Sequence, residues 1–247
     1  QPEFAAMERA VSVKTRAILV ASPNNPTGQI LSAAAWTQLA ALAEKQDLAL
    51  IVDAAYEQLS WKPLNFKALR PCRHRVIFIG SFSKTYAMTG WRIGFGAGPQ
   101  ALIAAMTVVQ SQISSGASSV SQAAALAAFN GGLDFIAPQV AAYQQRRDVI
   151  TDILANIDGL ELRVPQGGFF VFCRCAGLIG RYRPDGAKIE NEADVLDYLL
   201  ESGVSGVGGS AYGLSPYFRL SIATDSATVA EAGRRIASAC AKLSPAE

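Results

Sequence analysis

The stretch Ile79–Gly98, with the sequence IGSFSKTYAMTGWRIGFGAG, constrains the fold more than any other part of this chain. The apolar run Val76–Ile79 leads into it and stops at Gly80, which predicts a short buried strand followed by a turn. A second strand is predicted over residues 93–97. Because open α/β sheets bind their ligands at the carboxyl ends of strands, we expect Lys84 at the mouth of a sheet.

Hydroxyl and guanidinium groups flank this lysine in the sequence. Ser81 and Ser83 precede it, and Arg92 stands just before the next apolar run. Serine hydroxyls and a planar guanidinium fork together suit the binding of a phosphate. The motif by itself is weak evidence, because a lone lysine after a strand is most often a solvated surface residue. The interpretation therefore depends on what the neighbouring strand ends carry.

The chain before this stretch predicts a mostly parallel sheet. An apolar strand over residues 17–21 ends in the turn-rich sequence SPNNPTG, and an amphipathic helix capped by Ser32 follows. The next buried strand, residues 48–52, ends at Asp53. Alternating strands and helices are typical of α/β folds with a parallel sheet. One edge of that sheet would then carry polar side chains from several strand ends: Asn25, Asp53, Tyr56, Ser81, Ser83, Lys84 and Arg92.

The chain beyond Gly98 predicts three helices and then a second, α+β domain. The helices are expected over residues 101–113, 119–130 and 134–157. The later elements are expected at residues 160–164, 169–174 and 217–223 for strands, and 191–202 and 225–243 for helices. We therefore predict a large domain over residues 1–142 and a small domain over residues 143–247. The polar segment 180–190 is expected to be an exposed loop.

Composition argues against several classes of function. The 247 residues include 22 basic and 20 acidic side chains, a formal net charge of +2, which gives no electrostatic case for a nucleic-acid partner. No apolar run approaches the roughly 20 residues that span a bilayer, and the amino terminus has no signal-peptide layout. The single histidine, His74, nearly excludes a multi-histidine metal site. The four cysteines lack metal-ligand spacing and are interpreted as reduced core thiols of a cytoplasmic protein.

The polar groups at the predicted sheet edge together suit one cofactor. An aspartate at a buried strand end needs a partner, since an unpaired buried carboxylate is costly, and a cationic ring nitrogen would serve. Tyr56 and Asn25 could donate hydrogen bonds to a phenolate oxygen. Lys84 could form an imine, and the serine and arginine side chains could hold a phosphate. Those demands together describe pyridoxal 5'-phosphate.

The sequence resembles the class I/II pyridoxal-phosphate aminotransferases of the aspartate aminotransferase superfamily, which have fold type I. The matching motifs are NNPTG at residues 24–28, DAAY at 53–56, SFSK at 81–84, GWRIG at 90–94 and FRLS at 218–221. The resemblance runs over nearly the whole chain. It implies an α/β fold in which part of the large domain, with its mostly parallel sheet, is followed by an α+β small domain.

Carried over by position, the resemblance implies a catalytic role for Lys84, Asp53 and Tyr56. Lys84 would form the internal aldimine and would move the proton between the substrate Cα and the cofactor. Asp53 would contact the pyridine nitrogen and keep it protonated, so that the ring can accept electrons. Asn25 and Tyr56 would contact the ring oxygen.

The resemblance also implies how the phosphate and the substrate are held. Ser81, Ser83 and Arg92 would bind the phosphate of the cofactor. Arg219 would hold the substrate α-carboxylate through two parallel hydrogen bonds, with Asn25 beside it. Without the resemblance, Arg219 would be interpreted as a surface arginine on a strand.

Two features depart from the family pattern. The loop GVGGSAYG at residues 206–213 has Gly208 where the family usually has a proline. The amino-terminal part of the family usually supplies a Gly-rich phosphate cradle and an aromatic ring that stacks on the cofactor, and neither precedes Asn25. We therefore expect exposed apolar surface on the large domain, or pairing with another chain.

The sequence leaves the reaction and the substrate open. The first hypothesis is an aminotransferase that moves an amino group between an α-amino acid and a 2-oxo acid. A C–S lyase or another β-eliminating enzyme would use the same lysine, and an inactive fragment of an aminotransferase would keep the same fold. The resemblance further implies a homodimer, because the family is typically dimeric.

Overall fold

The computed structural model describes residues 2–62 and 64–245, which form two compact units. The first unit takes in the chain up to Asn24 and the stretch Gln29–Ala137, and the second takes in Asn25–Gly28 and the chain from Pro138 onward. Helix α6 (Ile136–Ala155) continues across the point where the units divide, so no turn marks that point in the sequence. The division into domains at residue 143 stays a prediction.

A four-stranded sheet forms the centre of the first unit. Its strands lie in the order β1 (Ala17–Ala21), β2 (Ala49–Asp53), β3 (Val76–Ser81) and β4 (Gly94–Ala97). The first three pair in parallel and β4 pairs antiparallel to β3, which confirms the predicted mostly parallel sheet. The register places Ala21 opposite Asp53 and Asp53 opposite Ile79. The carboxyl ends of the parallel strands therefore meet at one edge.

The helices of the first unit before α6 are α1 (Phe4–Ala10), α2 (Ala33–Lys45), α3 (Phe82–Thr85), α4 (Gln100–Ser114) and α5 (Ser119–Asn130). Ser32 caps α2 as predicted, because its side chain accepts a hydrogen bond of 3.1 Å from the Ala35 N–H. The apolar face of α2 packs on the sheet, where Trp36 and Leu39 join Leu50 in one buried cluster. Short 3-10 turns lie at Lys67–Leu69, Arg73–Arg75 and Thr89–Trp91.

Part of the first unit presents apolar side chains to solvent. Every residue of β4 is exposed, and no described residue of α4 is buried. We call this surface the open face and define it by its exposed apolar side chains on β4, α4 and α5: Phe95, Met106, Val108, Val109, Ile113, Val120, Leu126 and Phe129. Apolar exposure on this scale is uncommon on a monomer, and it matches the expectation drawn from the sequence.

The second unit is an α+β arrangement around an antiparallel sheet. The strands lie in the order β5 (Glu161–Leu162), β6 (Phe170–Arg174), β8 (Tyr217–Ser221) and β7 (Val207–Gly208). Helices α7 (Glu192–Glu201) and α8 (Ser226–Cys240) follow the 3-10 turn Ala176–Leu178 in the chain, and the turn Gly209–Tyr212 links β7 to β8. Alternate residues of β6 and β8, among them Val171 and Phe218, fill the core together with Ile150 and Leu154 of α6.

Some expectations for this unit differ from the structure. The segment 180–190 is not simply an exposed loop, since Tyr182 pairs with Lys188 and with Ser244, and Ile189 is fully buried. The predicted strand 160–164 is shortened to β5, which stops before Pro165, a residue with no N–H to donate. Within the described residues, none of the helices combines the length and the apolarity that crossing a bilayer requires.

Candidate active site

Lys84 lies in α3, a single helical turn that follows β3 directly. Ser81 ends the strand and caps the turn, because its Oγ accepts a hydrogen bond of 3.1 Å from the Ser83 N–H. The Tyr86 N–H donates to the Phe82 carbonyl at 3.1 Å and closes the turn. Lys84 and both serines are partly buried. The backbone around this lysine is therefore fixed at the carboxyl end of a strand.

Two glycines allow β3 and β4 to pair closely around this turn. Gly94 lies opposite Ser81, and a Cβ at Gly94 would stand 2.6 Å from the Gly80 carbonyl oxygen. A Cβ at Gly80 would stand 2.2 Å from the ring of Phe95. Neither position leaves room for a side chain without a shift of its neighbour, so the glycines set how near β4 approaches the strand that carries the lysine.

Arg92 precedes β4 in an unusual backbone conformation. Its φ of 50° and ψ of 50° lie in the left-handed region, which is uncommon for a residue other than glycine. Its Nη1 donates a hydrogen bond of 2.8 Å to the Thr89 carbonyl oxygen. The guanidinium group has five N–H donors, so this bond anchors the side chain while using only part of its donor capacity. Arg92 is exposed.

Asp53 ends β2, beside the strand that leads to Lys84. Its Oδ1 accepts a hydrogen bond of 3.0 Å from the Ala55 N–H. The Ser22 N–H donates to the Asp53 carbonyl at 3.2 Å, and the Ala54 N–H donates to the Ile79 carbonyl at 2.9 Å. These bonds continue the parallel pairing past the ends of the strands. Asp53 and Tyr56 are both partly buried at this edge.

Two further predicted site residues meet inside the second unit. The Arg219 Nη1 donates a hydrogen bond of 3.0 Å to the Asn25 Oδ1. The guanidinium carbon of Arg219 lies 4.3 Å from the ring centre of Phe170 and 5.3 Å from that of Tyr212, which are distances of cation–π contacts. The Arg219 Nε is buried and has no hydrogen-bond partner among the described residues. Arg219 therefore retains a donor that a bound carboxylate could use.

Asn25 is held in the second unit by the turn that follows it. The N–H groups of Gln166 and Gly167 donate to the Gly28 carbonyl at 2.8 Å and 3.0 Å. Gly28 has a φ of +63°, and a Cβ there would stand 2.4 Å from the Pro165 Cβ. This close approach requires a glycine. The sequence predicts Asn25 at the strand-end edge, whereas the structure groups it with Arg219.

Two aromatic residues beside Arg219 and one acidic residue of the second unit were not identified from the sequence. Phe170 lies within an apolar strand, where nothing separates it from a core residue. Tyr212 lies in the loop GVGGSAYG at residues 206–213, whose sequence gives no signal that singles out this tyrosine. Glu192, the third, begins α7, where an acidic residue is ordinarily an exposed partner of the helix dipole.

Glu192 is instead a buried carboxylate with two backbone donors. Its Oε1 accepts from the Ser210 N–H at 2.8 Å, and its Oε2 accepts from the Tyr217 N–H at 3.1 Å. Burial alone raises the pKa of this carboxyl, but hydrogen bonds from Ser210, Ser215 and Tyr217 outweigh that effect and leave the pKa below its usual value. Glu192 is therefore charged at neutral pH.

The polar set of the first unit has the chemistry that pyridoxal phosphate needs. Neighbouring strand ends supply a carboxylate, a phenol and a primary amine, together with serine hydroxyls and a guanidinium group for a phosphate. No group of three or more potential metal-ligating side chains lies together in the described part of the chain. The residues present thus fit the cofactor that the resemblance implies.

Comparison with known proteins agrees with this chemistry. The family model for aminotransferase class I and II matches residues 1–236. An aspartate aminotransferase of Rhizobium meliloti is 45% identical over 244 residues, which are 96% of this chain and 60% of that protein. A probable aspartate/prephenate aminotransferase of Rickettsia felis is 37% identical over 97% of this chain and 60% of its own length.

Solved structures show the same relationship. The crystal structure of the aspartate aminotransferase from Rhizobium meliloti has a TM-score of 0.93 at 43% identity, and the match covers 99% of this chain and 62% of that one. A Thermus thermophilus aspartate aminotransferase with maleate has a TM-score of 0.86 at 32% identity and covers 96% of this chain. The predicted fold type I is confirmed, and the chain spans about 60% of the length of these relatives. This chain belongs to the family of class I and II aminotransferases.

Proposed function

We propose that this protein is, or is part of, a pyridoxal-phosphate-dependent aminotransferase that moves an amino group between an α-amino acid and a 2-oxo acid. The observation that carries the proposal is the position of Lys84, one turn beyond β3 and beside the strand end that bears Asp53. Because this chain belongs to the aminotransferase family, we interpret the lysine at that position as the one that binds the cofactor. The alternatives, a β-eliminating enzyme and an inactive fragment, are outcomes of the tests below.

Pyridoxal phosphate is the cofactor of this family, and it supplies an electron-accepting ring when bound. In the proposal, the Lys84 amine would hold the cofactor covalently and would carry the proton of the substrate Cα–H. Asp53 would accept a hydrogen bond from the ring nitrogen and so keep a proton there. Tyr56 and Asn25 would donate to the ring oxygen. The side chains of Ser81, Ser83 and Arg92 would bind the phosphate.

Arg219 binds the α-carboxylate of the substrate in this proposal. Two observations support this role of Arg219: its buried Nε has no hydrogen-bond partner among the described residues, and two aromatic rings lie against its guanidinium group. An arginine held in one orientation can bind a carboxylate bidentately, which orients the Cα–H bond for proton transfer. Asn25 accepts from the same guanidinium group through its carbonyl oxygen and keeps its amide N–H groups for other partners.

L-aspartate is the amino donor that we propose first, because the relatives named above are aspartate aminotransferases. We further propose a homodimer, on the resemblance to a typically dimeric family, which light scattering on the purified protein tests. A cytoplasmic location is proposed because all four cysteines are free thiols, which are typical of a reducing compartment. Labelling with a compartment-specific reporter checks the location.

The cofactor test uses the whole chain with added pyridoxal phosphate. We expect absorbance near ~400 nm and, after borohydride reduction, a covalent label on Lys84. Lys84→Ala should lose both signals. The matched control Lys14→Ala, which removes an exposed lysine of the first unit, should keep them. A label distributed over several lysines, and unchanged by Lys84→Ala, would contradict the proposed role.

The reaction test separates transfer from elimination. With L-aspartate and a 2-oxo acid, an aminotransferase forms a new amino acid only when the oxo acid is present. With L-cysteine and no acceptor, a C–S lyase releases pyruvate, ammonia and sulfide. Transfer without elimination supports the proposal, and elimination without transfer replaces it with the lyase. A chain that is labelled on Lys84 yet performs neither reaction is the inactive fragment.

A further inference from the structure

Among the described residues, Glu192 is the only charged residue that is buried, with 6% of its surface exposed. A buried charge is costly unless hydrogen bonds satisfy it. Both of its oxygens are satisfied by backbone donors, Oε1 by the Ser210 N–H and Oε2 by the Tyr217 N–H. The role given above to Arg219 does not use the Glu192 carboxylate. The residues that donate to this carboxylate therefore indicate what it does.

The two segments that Glu192 joins are those that hold Arg219. Ser210 lies in the turn Gly209–Tyr212. This turn ends at Tyr212, whose ring lies beside the Arg219 guanidinium group. Tyr217 begins β8, on which Arg219 lies. Without the carboxylate, the Ser210 and Tyr217 N–H groups would lose the acceptor that they share.

Aromatic contacts transmit this arrangement to the guanidinium group. The ring of Phe172 stacks on that of Tyr217 with centres 4.9 Å apart, and it meets the ring of Tyr212 edge-on at 6.2 Å. Phe172 also lies directly opposite Arg219 in the sheet. The position of the Tyr212 ring thus depends on the turn that Glu192 holds. The second aromatic contact of the Arg219 guanidinium group is with the Phe170 ring, whose centre lies 4.3 Å from the guanidinium carbon.

Gly208 leaves the space that the carboxylate occupies. A Cβ at Gly208 would stand 2.8 Å from the Glu192 Oε1 and 3.3 Å from the Ser210 Oγ. A side chain at 208 and a full-length glutamate at 192 compete for the same volume, since Cβ contacts below 3.0 Å essentially never occur. The glycine and the glutamate therefore act together.

We propose that Glu192 is a positioning residue for Arg219: its buried carboxylate fixes the Gly209–Tyr212 turn against β8 and so sets the orientation in which the arginine meets a substrate carboxylate. The inference rests on the proposed function only in the identity of the ligand. The orientation of the arginine is a property of the second unit itself.

The direct test follows the Arg219 Nε–H signal by NMR in the whole chain without cofactor. The signal is assigned by its loss in Arg219→Lys, and the Phe170 ring beneath the guanidinium group should shield it. We expect Glu192→Gln to move the signal downfield, towards that of an unstacked arginine. The matched control Glu190→Gln removes the same charge from an exposed neighbour and should leave the signal in place. A folded Glu192→Gln chain with an unmoved signal would overturn the proposal.

A second variant keeps the test decisive if Glu192→Gln does not fold. Gly208→Ala retains the carboxylate but displaces it, and the Gly208 backbone, with φ of −61° and ψ of 145°, suits alanine. We expect it to move the Arg219 signal in the same direction. Adding the shorter carboxylate, in Glu192→Asp with Gly208→Ala, should bring the signal back towards its original position. An unmoved signal in Gly208→Ala would contradict the proposal.

Kinetics distinguish the positioning role from the proposed function. In a preparation that transaminates, Glu192→Gln should raise KM for the amino acid about tenfold with kcat nearly unchanged, as expected for loss of ground-state binding. A tenfold fall in kcat with an unchanged KM would count against a role of Glu192 in positioning Arg219 for the substrate carboxylate. If no preparation transaminates but the Arg219 signal still moves, the proposed function fails and the positioning role stands.

Discussion

The thiols of the second unit show how far the surroundings of a single residue set its chemistry. Cys173, Cys175 and Cys240 are all buried in the same core cluster. Burial is the main cause that raises the pKa of Cys173 and of Cys175 to about 12, and that of Cys240 to about 11, from 9.0. The reactive species of cysteine is the thiolate, so these thiols are inert while the core stays closed.

We predict that the cysteines resist alkylation in the folded chain at about pH 8 and react fully once guanidinium unfolds it. Mass spectrometry after iodoacetamide treatment measures this, and Ser205→Cys supplies an exposed thiol as the reactive control. The raised pKa values also set the direction in which stability changes with pH. Below pH 9.0 the thiols keep their protons in both the folded and the unfolded chain. At higher pH the thiols of the unfolded chain ionise first, so the free energy of unfolding falls. Rapid labelling of Cys173 or Cys175 in folded protein would contradict the prediction.

At the scale of elements, the pairing of β3 with β4 depends on Gly94. We expect Gly94→Ala to lower the free energy of unfolding by about 1–3 kcal/mol, because the added Cβ meets backbone that cannot move aside. Gly90→Ala is the matched control, since nothing lies within 4 Å of a Cβ there. Denaturant titration of both variants measures the difference, and equal stabilities would refute this account of the turn.

The start of α2 gives a second prediction for an element. Ser32→Ala should cost about 1 kcal/mol of stability, because the Ala35 N–H loses its acceptor. Ser205→Ala, at an exposed serine outside the helices and strands, should change stability by less than about 0.5 kcal/mol. Thermal unfolding followed by circular dichroism measures both. A Ser32→Ala variant as stable as the Ser205→Ala variant would show that the cap contributes little.

Elements with strong local signals could be predicted from the sequence. β1 matches its predicted range, and Ser32, Asn191 and Asp225 begin helices where polar caps precede apolar periodicity. The interior of the segment 180–190 could not be predicted, because Tyr182 pairs with the distant Ser244 and Ile189 is buried in the core cluster of the second unit. Local composition carries no trace of such a partner.

The candidate site was predictable to a similar degree. Residues at strand ends follow from the order of strands and their parallel pairing, which alternating elements indicate. Glu192 could not be found in this way, because its partners at Ser210 and Tyr217 are defined by the fold of the loop between them. Its position in the sequence is that of an ordinary helix-start acid.

For the whole molecule, the open face predicts how the chain behaves in solution. Val109 and Ile113 are exposed one helical turn apart on α4. We expect Val109→Lys with Ile113→Lys to increase solubility and to reduce the fluorescence of a bound hydrophobic dye, with the unfolding free energy changed by less than about 1 kcal/mol. Gln112→Lys adds positive charge to the same helix without removing apolar surface. If that control has the same effect, charge rather than apolar exposure limits solubility.

The assignment of Asn25–Gly28 to the second unit means that this unit is not one uninterrupted piece of the gene. Expression of the chain from Pro138 onward would leave out the acceptor of the Arg219 Nη1 and the carbonyl that receives the Gln166 N–H. No single cut in the reading frame separates the two units intact. Recombination between relatives would therefore have to exchange this short loop together with the carboxyl-terminal half. Otherwise Arg219 of one parent would meet residue 25 of the other parent.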